Sequence, residues 1–326
     1  MLKNVNWDGV WREKGTDAWV LMPLSALYTA GWVLYELVYR LKIKRPKRPH
    51  RPVVCVGNLM AGGTGKTPVV IQISRVLRDL GKEVVISVNG YGAPKSANAT
   101  VALPGELDAR IWGDEAAVIR TKLPNVPMIV GRDRVRAAQI CRDLYPNAVL
   151  LLDDGLQHLP LYKDISIVLD PSEVMNAFCL PSGPYREPRV TGRARATLVI
   201  PEQFHLAPGM LSLVQTKGKT ASADSGVNLL CAIARPDRFT KSIEDYGYRI
   251  ISERILPDHD NLQDPALFSG LDPEIPLVVT EKDWVKIQHR KDLAKWTILV
   301  AMYDVPIEPA EKFKSWLKGK LDAIEA

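Results

Sequence analysis

The sequence predicts an α/β protein with a parallel sheet core and a second, smaller α/β domain toward the C-terminus. Short apolar runs rich in β-branched residues alternate with helical segments along the 326 residues, which is the pattern of a parallel sheet with helices on both faces. The pattern weakens over a stretch rich in Gly, Ser, Thr and Lys at residues 201–225 and then resumes. An uncharged, aromatic-rich run near the N-terminus lies outside both α/β regions and predicts a separate helix.

The individual elements follow from the apolar runs and the residues that bound them. Pro68 is a favourable early helix position, and Gly81 ends the same helix. The first region is predicted to hold strands at 53–56, 84–88, 126–130, 148–152, 165–169 and 198–200, and helices at 68–80 and 137–144. The second is predicted to hold strands at 229–234, 248–251, 277–280 and 298–302 and a helix at 308–324. These patterns divide the chain into an N-terminal helix with a basic segment (1–44), a core domain (45–205), a linker (206–228) and a smaller C-terminal domain (229–326).

Composition and charge argue against several classes of protein. A hydrophobic content of 46% and a charged content of 25% are ordinary for a globular chain. The four cysteines lie far apart without a C-x-x-C pair, which argues against a zinc site or a disulfide framework and fits a reducing compartment. The net charge of +6 is local, because residues 40–51 hold seven Lys and Arg and no acid. A broad nucleic-acid-binding face is therefore not predicted.

The N-terminal apolar run, residues 18–35, contains 18 residues without a charge and interleaves Trp and Tyr with aliphatic residues. Its length is at the short end of what crosses a bilayer as a helix. Interfacial aromatics and the basic residues that follow favour a membrane-associated helix over a helix buried in the core. The sequence leaves open whether this helix spans the membrane or lies flat in the interface. A signal peptide is disfavoured, because the basic residues follow the apolar run.

A glycine-rich loop, VGNLMAGGTGKTPVV at residues 56–70, joins the first predicted strand to the first predicted helix. It ends as a phosphate-binding loop does, although Met60 stands where the pattern G-x-x-x-x-G-K-[ST] has its first glycine. Backbone N–H groups of such a loop cradle phosphate, its lysine reaches the β- and γ-phosphates, and its threonine ligates Mg²⁺. An ordinary glycine turn is the less favoured alternative. We therefore predict a P-loop NTPase-like core whose phosphate-binding residues are Gly62, Gly63, Thr64, Gly65, Lys66 and Thr67.

An apolar strand that ends in Asp153 and Asp154 supports this prediction. A carboxylate at that place holds Mg²⁺ directly or through water in phosphate-loop enzymes. A simple Asp-Gly turn is the alternative. Two patterns of guanine-selecting enzymes are each displaced by one residue: D-D-G replaces D-x-x-G, and T-E-K-D replaces [NT]-K-x-D. The predicted nucleotide is therefore ATP, with Mg²⁺ bound by Thr67, Asp153 and Asp154.

Several further segments give the chain a family resemblance over nearly its whole length. The chain resembles tetraacyldisaccharide 4′-kinase, the lipid A 4′-kinase of Gram-negative bacteria, whose phosphate loop has the same shifted first glycine. The segments that carry the resemblance are VGNLMAGGTGKTP (56–68), NGYG (89–92), WGDEA (112–116), GRDR (131–134), LLLDDGLQH (150–158), LPSGPYREP (180–188), LPDHD (256–260) and TEKD (280–283).

The resemblance implies an ATP- and Mg²⁺-dependent kinase that phosphorylates the 4′-hydroxyl of a tetraacyldisaccharide 1-phosphate, with its site in a cleft between two domains. It implies an enzyme at the cytoplasmic face of the inner membrane, without nucleic acid or an obligate protein partner. It also implies residue roles: Asp114 near the attacking hydroxyl, His259 paired with it from the other domain, Glu187 at the metal and Arg186 facing phosphate. Lys66 would act in catalysis as well as in binding.

Some features leave alternatives open. Asn89, Ala116 and Asp260 stand where the family has Arg, Pro and a second His, so any contact made by that Arg is in doubt. His158, Arg132 and Arg134 are substrate contacts in one interpretation and loop or surface residues in the other. The competing functions are a membrane-associated P-loop ATPase without a lipid acceptor, a nucleic-acid-binding ATPase and a nucleotide sensor.

Overall fold

The computed structural model describes residues 10–11, 14–62, 65–218, 226–258 and 260–325. Within them, seven strands form one sheet in the order β3-β4-β2-β5-β1-β6-β7. All neighbouring strands are parallel except β3, which pairs antiparallel with β4 at the edge. The strands are β1 (Val53–Asn58), β2 (Val84–Val88), β3 (Thr100–Ala102), β4 (Met128–Val130), β5 (Val149–Asp153), β6 (Ile165–Leu169) and β7 (Leu198–Ile200). The predicted P-loop NTPase-like α/β fold class is confirmed.

Helices cover both faces of this sheet because its strands are apolar on both sides. On one face, the helices at 66–79 and 114–122 contribute Val70, Ile73 and Ile119 to the core. On the other, the helix at 134–144 contributes Ala137 and Cys141. The helices of this region are α3 (Lys66–Asp79), α4 (Ala109–Trp112), α5 (Asp114–Lys122), α6 (Arg134–Leu144) and α7 (Arg189–Ala194), preceded by α1 (Thr16–Val20) and α2 (Met22–Arg40).

A second sheet has the strand order β11-β10-β12-β13-β9 and is parallel except for β9. Its own apolar clusters include Trp296 and Leu230 on one side and Phe239 and Ile243 on the other. The elements are β8 (His205–Leu206), β9 (Met210–Lys217), β10 (Val227–Cys231), α8 (Pro236–Asp245), β11 (Ile250–Ile255), β12 (Leu277–Thr280), α9 (Glu281–Ile287), β13 (Ile298–Asp304), β14 (Ile307–Glu308) and α10 (Ala310–Glu325).

The structure differs from the sequence-based division of the chain at two places. The segment expected to be a linker contains β9, a half-exposed edge strand rich in polar residues that lacks a continuous apolar run. The last helix, α10, packs on the core of the first sheet and not on that of the second. Its Phe313 contacts Phe204 edge to face within the first core. An amphipathic pattern shows that a helix has a buried face but does not show which core it covers.

The two units meet through α5 and α9. Ala117 and Val118 of α5 pack with Val285 of α9. Beside this contact, buried Lys122 pairs with Glu281 at 2.9 Å and with Asp304 at 3.2 Å. The two units therefore enclose a cleft, and each unit forms one of its walls.

The N-terminal helices lie against the first unit along one side only. Ala18, Ser25 and Glu36 are buried, whereas most large apolar side chains of α1 and α2 face outward. Leu27 is 72% exposed and Leu34 is 64% exposed. Among the helices of the described residues, none combines the length and hydropathy needed to cross a membrane.

Candidate active site

Parallel pairing of β1 with β5 brings the two chemical motifs together. Val56, just before the glycine-rich loop, lies opposite Asp153 at the end of β5. Because the carboxyl ends of neighbouring parallel strands share one edge of the sheet, the loop after β1 and the Asp pair after β5 lie side by side. This is the arrangement expected from their sequence positions.

The first half of the loop is fixed by the segment 179–187, named here the brace segment. Met60 forms an antiparallel bridge with Tyr185, and the Ala61 N–H donates to Pro184 O at 2.7 Å. The Arg186 N–H donates to Leu59 O at 2.8 Å. Met60 thus has strand-like backbone pairing, so no glycine is required at this position. Gly63 and Thr64 lie outside the described residues.

The second half of the loop leads into α3 with the geometry of a phosphate site. Gly62 and Gly65 have φ of 97° and 74°, values that favour glycine. Lys66 begins α3, and its Nζ lies 3.3 Å from Asn58 Oδ1 and 3.5 Å from Asp154 Oδ2. Thr67 follows in the first turn of the helix. The lysine and the helix N-terminus therefore both present positive potential at the mouth of the loop.

Asp153 and Asp154 have opposite electrostatic environments. Asp153 is buried, and neither carboxylate oxygen has a hydrogen-bond partner among the described residues. Burial, with the nearby charges of Glu115 and Asp154, raises the pKa of Asp153 to about 7. Burial alone would also raise the pKa of Asp154, but Lys66 and Arg186 outweigh it and hold that pKa below its ordinary value. Arg186 Nη1 contacts both Asp154 oxygens, at 3.0 and 2.9 Å.

This donor set fits a magnesium ion. Mg²⁺ is usually held by one or two carboxylates together with substrate phosphates and water. Asp153 offers two buried oxygens that have no partner within the ranges that the structure describes, and the hydroxyl of Thr67 lies on the adjoining helix turn. Within the described ranges there is no group of three or more His, Cys, Asp and Glu suited to a metal. A site that relies on the nucleotide for its remaining ligands is consistent with this.

Glu187, expected at the metal, has other partners. The side chain is fully buried, its Oε1 accepts a hydrogen bond from Gln157 Nε2 at 2.8 Å, and its Oε2 pairs with Arg195. Gln157 Nε2 also donates to Asn58 O at 2.9 Å. Both Glu187 oxygens thus have hydrogen-bond partners, and through Gln157 the carboxylate stabilises the backbone at the start of the loop. No pattern in the sequence indicates these contacts, because Gln157, Glu187 and Arg195 come from three separate segments.

Asp114 stands at the start of α5 and faces the second unit. Lys286 Nζ of α9 lies 3.5 Å from Asp114 Oδ2 and donates to Asp260 O at 2.7 Å. Lys286 thereby connects Asp114 with the LPDHD segment that contains His259, although His259 itself lies outside the described residues. Glu115, the next residue, is near enough that its charge raises the pKa of Asp153. The start of α5 therefore faces both the Asp pair and the second unit.

Two cavities adjoin these residues. One, of about 520 Å³, lies between the units and is lined by Thr67 and Pro68 of α3, by Glu115, and by Phe239, Lys282 and other residues of the second unit. The other, of about 340 Å³, is polar and is lined by Asn89, Arg132, Arg134, Asp154, Gln157, His158 and Arg186.

The basic residues that line the polar cavity differ in whether they can offer positive charge to a ligand. Arg134 is buried and donates to Asp153 O at 2.5 Å and to Ser87 Oγ at 2.9 Å, so it ties strand ends together. Burial lowers the pKa of His158 to about 4, which leaves the ring neutral near pH 7. Arg132 is exposed at the mouth. The positive charge open to a ligand here comes mainly from Arg132 and Arg186.

Comparison with known proteins gives a consistent result. A family model described as tetraacyldisaccharide-1-P 4′-kinase matches residues 17–322. A curated tetraacyldisaccharide 4′-kinase of Verminephrobacter eiseniae is 36% identical over 300 residues, covering 85% of this chain and 67% of its own length. One of Halorhodospira halophila is 34% identical, covering 98% and 97%.

Among solved structures, a crystal structure of LpxK from Aquifex aeolicus in complex with ATP matches with a TM-score of 0.77 at 23% identity. The match covers 93% of this chain and 99% of the other. At this identity the likeness supports the fold.

Replacing Asp153 by Asn should stabilise the metal-free protein, and more at high pH than at low pH. With a pKa of about 7 in the folded state and about 3.9 unfolded, Asp153 binds a proton on folding. That contribution is fully present below about pH 4 and is lost as the pH rises toward 7. Asn never acquires the charge, so the gain should increase by roughly 2–3 kcal/mol between pH 5 and pH 8.

Chemical unfolding in EDTA at pH 5 and pH 8 measures this difference. Asp154→Asn is the matched control and should be destabilised at both pH values, because Arg186 and Lys66 lose a partner. A gain for Asp153→Asn that does not change with pH would contradict the assigned environment of Asp153.

Proposed function

Since the chain belongs to the tetraacyldisaccharide-1-P 4′-kinase family, we propose that its cleft transfers the γ-phosphate of ATP to the 4′-hydroxyl of a tetraacyldisaccharide 1-phosphate, a step of lipid A biosynthesis. One observation carries the mechanism: Lys66, Asp154 and Asp153, whose carboxylate has no hydrogen-bond partner among the described residues, lie together at the adjoining ends of β1 and β5. Phosphoryl transfer needs positioning and charge neutralisation more than covalent chemistry.

The phosphate loop and Lys66 bind the nucleotide. Backbone N–H groups of the loop 62–67 would bind the β- and γ-phosphates, and Lys66 would exchange its contacts with Asn58 and Asp154 for contacts with the phosphates. Asp153 and Thr67, with Asp154 close by, would hold Mg²⁺, which would supply positive charge against the phosphates. The 520 Å³ cavity begins at Thr67 and has room for the base and ribose.

Asp114 acts on the acceptor hydroxyl. It lies at the start of α5, next in sequence to Glu115, which influences Asp153 electrostatically. Through Lys286 it is connected to the segment that carries His259. A carboxylate oriented by a cation or an imidazole can accept the hydroxyl proton as the phosphorus–oxygen bond forms.

The polar cavity beside Asp154 holds the acceptor sugar. Arg132 and Arg186 provide cations suited to a phosphorylated disaccharide, and neutral His158 and Asn89 provide hydrogen-bonding groups. Asn89 stands where the family has Arg, so this chain relies on the two arginines for charge at this end of the cavity.

The acyl chains of the acceptor lie in a membrane, so the enzyme needs a surface that binds the membrane. Helices α1 and α2 provide such a surface. The outward face carries Leu27, Leu34 and other apolar side chains, and the exposed basic segment follows at the end of α2. A helix docked along one side and apolar on the other suits an interfacial position at the cytoplasmic face of the inner membrane.

Lys66→Ala should lower lipid phosphorylation by on the order of 10²–10³-fold while the fold is retained, because the phosphates lose their main protein cation. The assay incubates the protein with γ-labelled ATP, Mg²⁺ and the disaccharide acceptor and separates lipid from free phosphate. Lys82→Ala, which removes a lysine paired with Glu325 away from the loop, is the control. Label found only in free phosphate with the wild-type protein would favour the acceptor-free ATPase.

Asp114 and His259 should behave as one unit. Each alanine variant should lose kcat much more than ATP affinity, and the double variant should be little worse than the poorer single variant. The pH–rate profile should lose its acidic limb in His259→Ala, since an imidazole titrates in that range. Purely additive losses would show that the two residues act independently.

Leu27→Glu combined with Leu34→Glu should reduce vesicle binding by about 10²-fold, because each exposed leucine contributes roughly 1.5 kcal/mol or more on burial. Co-sedimentation with vesicles containing anionic lipid measures this, and the remaining binding should fall with salt. Leu144→Glu, an exposed leucine of α6, is the control. Unchanged sedimentation of the double variant at high salt would place the membrane-binding surface elsewhere.

A further inference from the structure

We propose that Tyr28 of α2 is a positioning residue for the phosphate loop, acting through the backbone of Arg186. This inference rests on the proposed function, because it concerns the same nucleotide site. It assigns to the N-terminal helix a second role, distinct from membrane contact: the helix sets the position of the loop that receives the phosphates.

Hydroxyl groups of α2 contact the backbone of the brace segment at both of its ends. Tyr28 Oη donates to Arg186 O at 2.6 Å, and Ser25 Oγ donates to Cys179 O at 2.7 Å. Ser25 is buried, and Tyr28 is 38% exposed. Tyr28 and Ser25 are three residues apart and share one face of the helix, so α2 holds both ends of the brace segment.

Arg186 connects the Tyr28 contact to the site in two ways, through its backbone and through its side chain. Its backbone N–H donates to Leu59 O at 2.8 Å, beside the bridge between Met60 and Tyr185. Its guanidinium binds Asp154, which also pairs with Lys66 at 3.5 Å. A shift of the Arg186 peptide would therefore move both the first half of the loop and the partner of its lysine.

A second connection runs from the other end of α2. Buried Glu36 accepts from Arg195 Nη1 at 2.9 Å, and Arg195 also pairs with Glu187. Through Gln157, Glu187 is joined to Asn58 O, immediately before the loop. Polar contacts of α2 thus lead to Asn58 on one path and to Leu59 on the other.

Tyr28→Phe tests the proposal because it removes one hydroxyl and leaves the ring in place. Loss of one hydrogen bond to the Arg186 carbonyl should reduce kcat/KM for ATP by roughly 3- to 10-fold. KM for the lipid acceptor and binding to vesicles should stay unchanged. Tyr35→Phe is the matched control: Tyr35 lies on the same helix, is 37% exposed and contacts the rings of Trp32 and Tyr39, away from the loop.

Equilibrium binding of a fluorescent ATP analogue provides a readout that does not require kinase activity. Tyr28→Phe should weaken it by a similar factor, and the factor should shrink in an Arg186→Lys background, because part of the effect passes through the guanidinium. Equal nucleotide affinity of Tyr28→Phe and Tyr35→Phe would overturn the proposal. So would equal losses in ATP kinetics, acceptor kinetics and vesicle binding, since these would indicate a purely docking role. Absence of lipid phosphorylation in the wild type would instead contradict the proposed function and leave the nucleotide-binding comparison valid.

Discussion

The parallel pairing of β1 with β5 is the constraint on which the rest of the site depends. With Val56 opposite Asp153, the end of one strand delivers the phosphate loop and the end of the next delivers the Asp pair. A slip of one residue in this register would turn the buried side chains of β5 to the opposite face and move Asp153 away from the loop. The register is held by apolar residues on both faces of each strand, so the geometry of the polar site is determined by the hydrophobic core beneath it.

The electrostatics of the site follow from unequal pairing of two adjacent carboxylates. Asp154 has Arg186 and Lys66, whereas Asp153 has no side-chain partner in the described part of the chain. A buried charge without a partner costs free energy in the empty protein. The same carboxylate is the one best prepared for a cation that arrives with the nucleotide. Stability is therefore reduced at the place where metal binding is proposed, which is a common trade-off at functional sites.

The sequence predicts the parts of the site that depend on local order. A glycine-rich loop between a strand and a helix predicts a phosphate site, and an acid pair after an apolar strand predicts carboxylates at a strand end. Both predictions hold in any fold in which the two strands are parallel neighbours. The sequence does not predict the partners of Glu187 or the bridge that makes glycine unnecessary at Met60, because these contacts depend on how separate segments pack: Gln157 and Glu187 are 30 positions apart, and Met60 and Tyr185 are 125 positions apart. Lys286 illustrates the same limit: in sequence it is one of several lysines near TEKD, and only the packing of α5 on α9 brings it to Asp114.

The N-terminal helix shows why an apolar run alone was ambiguous. A spanning helix, an interfacial helix and a buried core helix share the same composition, and they differ in where the few polar groups point. In α2 those groups point inward: Ser25 and Glu36 are buried against the first unit, and the leucines face outward. A Glu that is buried and paired with Arg195 does not suit a helix surrounded by lipid, because a charge there is costly. A row of outward leucines does not suit a helix buried in the core. Polar anchors on one side and an apolar surface on the other join the proposed membrane contact to the nucleotide site in a single helix.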